Sequence, residues 1–305
     1  MIESETRPEV LIEDETLRDG LQLESRIFSL EEKLRIYRQL SEAGVRRIQA
    51  GSFVNPKKVP QMADTEQLLE EIRKGGQEGP LLSALILNDK GLERALSCKM
   101  EHVSMSVSVS NTHSQKNAGK TAADALSAMI VLIRQAIGAG LAVRAGLQCS
   151  FGCAYEGAIH ENTVLEAAEK LAGAGAQEVN LADTTGMANP LGIAKLVERV
   201  NRELPELTIS LHLHDTRGLG LANMYAGYQA GVRTFDASTG GLGGCPFVKG
   251  AAGNVPTEDA VNMFSSMGVG TGVDMVKICD TVKFLEQLLG RKLPGRMKMV
   301  LDAEK

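Results

Sequence analysis

Two histidines, two positions apart, are the residues of this sequence best suited to chemistry. Residues 207–215 read Leu-Thr-Ile-Ser-Leu-His-Leu-His-Asp, an alternation of apolar and polar residues that is typical of a β-strand. The alternation places His212 and His214 on one face, about 7 Å apart along the strand. Two imidazoles at this spacing can hold one ion, whereas the purely structural alternative is a pair of polar residues at a strand end. Two of the chain's five histidines on one face favour the metal site.

Two imidazoles need at least one anionic ligand to hold a divalent ion well. Asp19, beside Arg18, is the strongest candidate, and Asp183 and Asp215 are alternatives. Asn254 offers a neutral oxygen. Nitrogen, carboxylate and amide ligands suit Mg²⁺ or Mn²⁺ better than a closed zinc site, and Zn²⁺ stays an alternative.

Short apolar segments alternate with amphipathic helical patterns along the whole chain. The predicted strands are 10–14, 46–50, 81–87, 102–108, 141–149, 177–182, 207–215 and 233–237. Helices are predicted after Ser29, at 63–73, after Asp89, at 122–137, 162–172, after Asn189, and at 257–267 and 273–289. This order predicts an α/β fold, a (β/α)₈ TIM barrel with additional C-terminal helices, as one domain over residues 1–305. An open doubly wound sheet is the alternative.

Polar residues gather where these strands end. In a (β/α)₈ barrel the active site forms at the C-terminal ends of the strands. Besides the histidines, the residues predicted at that rim are Arg18, Asp19, Gln49, Ser52, Arg144, Gln148 and Asp183. Because these polar residues are predicted together at one end of the barrel, they favour a functional site over polar residues scattered on the surface.

A glycine-rich segment, Gly-Gly-Leu-Gly-Gly-Cys-Pro-Phe at residues 240–247, follows the last predicted strand. A plain connector is one interpretation, and a P-loop is disfavoured because no Lys-Ser/Thr follows. The functional interpretation places Cys245 on a mobile loop at the barrel mouth, where its thiol acts as a general acid.

Composition narrows the class of protein. A net charge of −5 and a pI near 5.7 argue against a nucleic-acid partner, and no apolar run is long enough for a membrane span. The polar, acidic N-terminus is unlike a secretory signal, and the five scattered cysteines lack C-x-x-C spacing. We therefore expect a reduced, cytoplasmic protein.

Several motifs together resemble one enzyme family over nearly the whole chain. They are Arg-Asp-Gly-Leu-Gln at 18–22, Ser-Phe-Val-Asn-Pro-Lys at 52–57, Val-Pro-Gln-Met at 59–62, residues 149–157, Asp-Thr at 183–184, His-Leu-His-Asp-Thr at 212–216, the 240–246 loop, Gly-Asn at 253–254 and Thr-Glu-Asp at 257–259. This set is similar to the 3-hydroxy-3-methylglutaryl-CoA lyase family of the DRE-TIM metallolyase superfamily.

The resemblance implies a retro-Claisen cleavage of a 3-hydroxyacyl-CoA to acetyl-CoA and acetoacetate. It implies one Mg²⁺ or Mn²⁺ and no organic cofactor besides the CoA of the substrate. The implied metal ligands are Asp19, His212, His214 and Asn254; the implied catalytic residues are Arg18, at the enolate oxygen, Cys245, His212 and Asp183; the residues implied to line or support the substrate site are Gln22, Gln49, Ser52, Arg144, Gln148 and Glu258. A homodimer is also expected.

Three departures bear on the substrate. Gln49 stands where these lyases carry a glutamate, Gly146 and Gln148 change strand five, and residues 14–20 look more like the isopropylmalate and homocitrate synthases. A related lyase, aldolase or synthase acting on another 3-hydroxyacyl-CoA or a 2-oxo acid is therefore an alternative. A catalytically inactive barrel with a binding role is the second.

Overall fold

Eight parallel strands form a closed barrel in sequence order, β1 to β8. The structure is a computed structural model that describes residues 10–76, 79–244 and 253–303. The strands are β1 Leu11–Asp14, β2 Arg47–Ser52, β3 Leu81–Leu85, β4 His102–Ser108, β5 Ala142–Gln148, β6 Glu178–Asp183, β7 Thr208–Leu213 and β8 Thr234–Ala237. Leu11 pairs with Thr234, so the first and last strands close the sheet on itself. The predicted barrel is confirmed, and the open sheet is wrong.

Helices follow the strands and form the outer layer. They are α1 Leu30–Glu42, α2 Thr65–Lys74, α3 Asp89–Ser97, α4 Asn111–Ala118, α5 Ala122–Gly138, α6 Glu161–Gly173, α7 Pro190–Glu203, α8 Gly220–Gln229, α9 Thr257–Ser266, α10 Met275–Leu289 and α11 Met297–Ala303. Ser29 and Glu32 form the expected capping box of α1, and Asn189 caps α7 ahead of Pro190. The additional C-terminal helices are α10 and α11.

Three helices, α4, α8 and α11, were not predicted from the sequence, and the first two have a local reason. Helix α4 is short and polar, so it carries no apolar stripe to recognise. Helix α8 contains two glycines, which lower helix propensity. Gly227 is nevertheless suited to its place, because a Cβ there would lie 2.3 Å from Cδ1 of Leu211 on β7. Packing against the barrel therefore overrides propensity.

An apolar core fills the layer between barrel and helices. Val143, Val179 and Leu211 of the sheet lie in one buried cluster with residues of the surrounding helices. Ile133 of α5 is fully buried in the same cluster. Within the described residues, no single helix is long and apolar enough to cross a membrane; α4 and α5 pass that test only as a pair bent by 65°.

The inside of the barrel is charged at its centre, where such barrels are usually filled by branched apolar side chains. Glu13 of β1 pairs with Arg47 of β2 and with Arg144 of β5, at 2.6 Å each. Glu178 of β6 pairs with the same two arginines, at 2.8 and 3.2 Å. These pairs cross the barrel and lie beneath the residues at its mouth.

Candidate active site and metal centre

Asp19, His212 and His214 form the centre of the site. One possible ligand atom from each lies within 4.8 Å of the others. The Nε2 atoms of the two histidines are 3.0 Å apart, and the ring centroids are 5.0 Å apart. The alternation of β7 therefore does what the sequence predicts, since it turns both imidazoles to one point. Asp183 and Asp215, the alternative acidic ligands, are not in this cluster.

The electrostatics of the histidine pair are set by burial and by Asp236. Nδ1 of His212 lies 3.0 Å from a carboxylate oxygen of Asp236. Burial alone would lower the pKa of His212, but the hydrogen bond and the attraction to Asp236 outweigh it and raise that pKa. Burial, followed by repulsion from His212, lowers the pKa of His214 to about 4. His214 is therefore neutral near pH 7, as a metal ligand must be.

The donor set fits a divalent cation. Two imidazole nitrogens that face each other at 3.0 Å leave no room for a proton on each, whereas one cation can satisfy both. Although burial opposes it, attraction to Arg18 and the histidines holds the pKa of Asp19 below its usual range. Asn254 adds a buried Oδ1 that has no hydrogen-bond partner in the described part of the chain. These side chains supply two nitrogens, a carboxylate and an amide oxygen.

A π-helix, Thr16–Gly20, places Arg18 and Asp19 directly above β1. π-Helical turns are rare in proteins, and many of those that occur lie at functional sites. Asp14 accepts a hydrogen bond from the backbone of Thr16 at 2.9 Å, and the backbone of Thr239 donates to the Thr16 hydroxyl at 2.8 Å. A Cβ on Gly20 would lie 2.9 Å from Ser238 Oγ, so this turn packs tightly against the end of β8.

Arg18 connects the carboxylates of the site with the second strand. Its guanidinium donates to Asp19 at 2.5 Å, and also to Glu15 and to Oε1 of Gln49. Its side chain is 13% exposed, so part of the guanidinium faces the barrel mouth. A fixed cation at this place can stabilise an oxygen on which negative charge develops.

Asn254 is brought to the site by the chain beyond β8. It forms an antiparallel bridge with His214, and its Nδ2 donates to Asp19 at 2.8 Å and to the Leu242 carbonyl at 3.0 Å. Gly243 packs against the same pair: a Cβ there would lie 2.5 Å from Asn254 Nδ2 and 2.7 Å from Asp19 Oδ2. The glycine-rich segment thus needs Gly243 to approach the ligands.

Arg144 lies beneath the site and does not line it. Its side chain is 2% exposed, and its guanidinium contacts Asp236, Glu13, Glu15 and Glu178. Because these four carboxyl groups surround its guanidinium, Arg144 supports the site, which is one of the two roles that the resemblance implies. Because Asp236 in turn contacts His212, Arg144 supports the histidine through one intermediate carboxylate.

Glu258 and Ser52 are buried and are held by contacts with other parts of the chain. Both have 0% exposure. Glu258 accepts a hydrogen bond from the backbone of Gly240 at 3.0 Å, and burial raises its pKa to about 8. The backbone of Ser52 contacts the Thr65 hydroxyl. Glu258 therefore anchors the start of the glycine-rich segment, and Ser52 anchors the end of β2.

The remaining predicted residues have different positions. Asp183 accepts backbone hydrogen bonds from Met187 and Ala188, and burial raises its pKa to about 6. Gln148 is half-buried at the end of β5 and donates to Ser106 at 3.1 Å. Gln22, also half-buried, follows the π-helix. Cys245 lies outside the described residues.

Two acidic residues of the site were missed in the sequence. Asp236 and Glu15 form a second cluster with His212. Asp236 is the one charged residue in β8, Thr-Phe-Asp-Ala, which is buried throughout. A carboxylate inside so short a buried strand was the available signal, because a buried charge needs a partner.

Comparisons with known proteins identify the family to which this chain is similar. A family model described as HMGL-like matches residues 9–285. The chain is 37% identical to (R)-citramalyl-CoA lyase of Chloroflexus aurantiacus over 297 residues, which cover 94% of this chain and 93% of that protein. It is 37% identical to a hydroxymethylglutaryl-CoA lyase of Bacillus subtilis over 96% of this chain and 98% of the relative. A solved structure described as an HMG-CoA lyase of Acinetobacter baumannii, in complex with coenzyme A and 3-methylmalate, superposes with a TM-score of 0.89 at 37% identity, covering 95% and 94% of the two chains.

Proposed function

We propose a reaction and a substrate class for this chain from one premise: it belongs to the HMGL-like family, and it is a lyase. The lyases of this family depend on a divalent metal, and this chain carries a candidate site for one. The proposed reaction is a retro-Claisen cleavage of a 3-hydroxyacyl-CoA whose acyl group bears a carboxylate. Acetyl-CoA is the product of every such substrate whose C2 carries no further substituent.

One observation carries the proposal: the ligand atoms of Asp19, His212 and His214 converge within 4.8 Å, and Arg18 contacts Asp19 directly. A metal ion bound there supplies Lewis acidity, which makes the 3-hydroxyl proton easier to remove. Asp19, His212, His214 and Asn254 would hold the ion. Arg18 lies beside it and can stabilise the enolate oxygen that forms on the thioester half.

Asp183 is the proposed acceptor of the hydroxyl proton. Burial raises its pKa to about 6, so near pH 7 it is mostly ionised and still basic enough to hold a proton. Its Oδ2 is buried and has no hydrogen-bond partner within the described residues. Cys245 is proposed to protonate the carbon that leaves, on the family resemblance alone.

The native cation is proposed to be Mg²⁺ or Mn²⁺. Two imidazoles combined with carboxylate and amide oxygens support this choice, because sulfur ligands would favour zinc. The competing Zn²⁺ site is tested by comparing activity of the metal-stripped protein after addition of each ion.

Two acyl groups are candidates, both from the relatives. 3-Hydroxy-3-methylglutaryl-CoA, which would give acetoacetate as the second product, is the first substrate to test, and the hydroxymethylglutaryl-CoA lyase of Bacillus subtilis supports it. Citramalyl-CoA is the second. One observation favours citramalyl-CoA. Gln49, which hydrogen-bonds Arg18, is a neutral amide and therefore does not repel a substrate carboxylate placed beside the guanidinium.

The test is turnover of the purified, Mn²⁺-loaded protein, measured with a panel of thioesters as release of acetyl-CoA and with 2-oxo acids as loss of the oxo acid. Cleavage of a 3-hydroxyacyl-CoA supports the proposal. Activity on 2-oxo acids alone would favour a synthase or aldolase. Absence of activity on every substrate would favour an inactive barrel. His214→Ala is the matched variant, and it should abolish both turnover and metal retention.

We also propose a homodimer in the cytoplasm. The family resemblance supports the dimer, and light scattering of the purified protein tests it. Cys98, Cys153 and Cys279 form no disulfide within the described residues, which supports a reducing compartment. Imaging of the tagged protein in its own cell tests the location.

A further inference from the structure

Gln49, at the barrel mouth, uses only part of its hydrogen-bonding capacity. Its Oε1 accepts from Nε of Arg18. Its Nε2 is buried and has no acceptor in the part of the chain that the structure describes, and the residue is 1% exposed. A buried N–H without an acceptor is unfavourable, so this amide can bind an acceptor that a ligand brings.

The position of Gln49 in β2 places this amide at the level of the reacting groups. Arg47, two residues earlier on the same face, contacts Glu13 and Glu178 inside the barrel. Gln49 therefore lies one layer nearer the C-terminal end of the strand, where it meets Arg18. Through Arg18 it is one contact away from Asp19, a proposed ligand of the ion.

The charge at this position sets which acyl group fits. Arg18 already contacts the carboxyl groups of Glu15 and Asp19. A glutamate at position 49 would add a third carboxylate and would repel an anion of the substrate. Glutamine keeps the hydrogen bond to Arg18, removes that negative charge and leaves an N–H donor without an acceptor in the described residues.

We propose that Gln49 is a specificity-determining residue that binds a carboxylate attached directly to the hydroxyl-bearing carbon of the acyl group. The inference rests on the proposed function. The hydroxyl to be activated must lie near Asp19, and a carboxylate on the same carbon stays closest to it. A carboxymethyl arm would place the carboxylate one carbon–carbon bond, about 1.5 Å, farther away.

The reaction of such a substrate balances without another reactant. The hydroxyl loses its proton to a base, the carbinol carbon becomes a carbonyl, and the bond between C2 and C3 breaks. The electron pair passes to C2 as the enolate of the thioester, which then takes up one proton. The products are an acetyl thioester and a 2-oxo acid.

The test compares the wild type with Gln49→Glu on three thioesters. Citramalyl-CoA has the carboxylate on the hydroxyl-bearing carbon, 3-hydroxy-3-methylglutaryl-CoA has it one methylene away, and 3-hydroxy-3-methylbutanoyl-CoA has none. We expect the wild type to prefer citramalyl-CoA. In Gln49→Glu, kcat/KM for citramalyl-CoA relative to the uncharged thioester should fall about 10- to 100-fold, the usual effect of losing a hydrogen bond to a charged group. Gln135→Glu, the same change on the exposed face of α5, should leave this ratio unchanged.

A binding measurement separates this inference from the reaction itself. Calorimetry with a small 2-hydroxy acid and Mn²⁺-loaded protein needs no turnover. Tighter binding to the wild type than to Gln49→Glu, by a similar factor, supports the role of Gln49 even if every thioester is left uncleaved and the proposed function fails. Equal 2-hydroxy acid binding, or an unchanged thioester ratio in an active enzyme, overturns it. A circular dichroism melt shows that Gln49→Glu is folded.

Discussion

Replacement of Gly243 by alanine should separate two proposed metal ligands without removing either. The backbone of Gly243 has φ of +102°, and a Cβ there would lie 2.5 Å from Asn254 Nδ2 and 2.7 Å from Asp19 Oδ2. Ordinary contacts to a Cβ begin at 3.4 Å. The two side chains would therefore have to withdraw by about 0.9 and 0.7 Å, the differences from that limit, whereas a metal site tolerates distance errors of about 0.2 Å.

The magnitude follows from this displacement. Loss of a residue that only orients a ligand typically costs 10- to 100-fold in metal affinity. Moving Asp19 and Asn254 together should cost at least this much, or about 1.4–2.8 kcal/mol. Alanine at a left-handed backbone position adds strain of about 1–2 kcal/mol, which lowers the free energy of unfolding but not metal affinity by itself.

Gly140→Ala is the matched control. Gly140 has φ of +88°, and a Cβ there would meet nothing within 4 Å. This variant shares the backbone strain and lacks the clash. Calorimetric titration with Mn²⁺ gives the affinity of both variants, and urea unfolding gives their stability. Wild-type Mn²⁺ affinity in folded Gly243→Ala would show that Asp19 and Asn254 do not hold one ion, and the reasoning would be refuted.

Three further predictions address neighbouring groups. Asp236→Asn should weaken Mn²⁺ binding about 10- to 100-fold, because it removes the carboxylate that orients His212; calorimetry should show a smaller effect for Glu178→Gln, which alters the same buried network without contacting the histidine. Burial raises the pKa of Glu258 to about 8 from 4.5, so between these pH values the folded protein keeps a proton that the unfolded chain has lost. The stability of the wild type relative to Glu258→Gln should therefore decrease from about pH 5 to about pH 8. Thermal melts of the two proteins in parallel measure this difference, and a relative stability that increases with pH would contradict the prediction. Cys245→Ala should lower kcat strongly while Mn²⁺ affinity stays at the wild-type value; undiminished turnover would remove the thiol from the mechanism.

The barrel and the histidine pair could be predicted from sequence because both depend on short-range periodicity. Period-two strands separated by amphipathic helices specify the fold, and the same period brings His212 and His214 together. Asp19 and Asn254 could be placed at the same rim because each follows the C-terminal end of a predicted strand. These features need no knowledge of which distant side chains meet.

What could not be predicted depends on contacts between distant strands. The π-helix is held by Ser238 and Thr239, more than two hundred residues away. Alternation shows that Arg144 faces inward, but not that four carboxyl groups enclose it there. The sequence therefore predicted which way the Arg144 side chain points, but not which groups it contacts.

The charged interior has a consequence for how the molecule is assembled. Arg144 bonds to Glu13, 131 residues before it, and to Asp236, 92 residues after it. As the nascent chain emerges, this guanidinium has its earlier partner long before its later one is synthesised. A partly formed barrel would therefore hold the Arg144 guanidinium without all of its partners, and burying an incompletely paired charge is unfavourable. Refolding should be slow and end in one late, cooperative closure, as expected for topologies dominated by distant contacts.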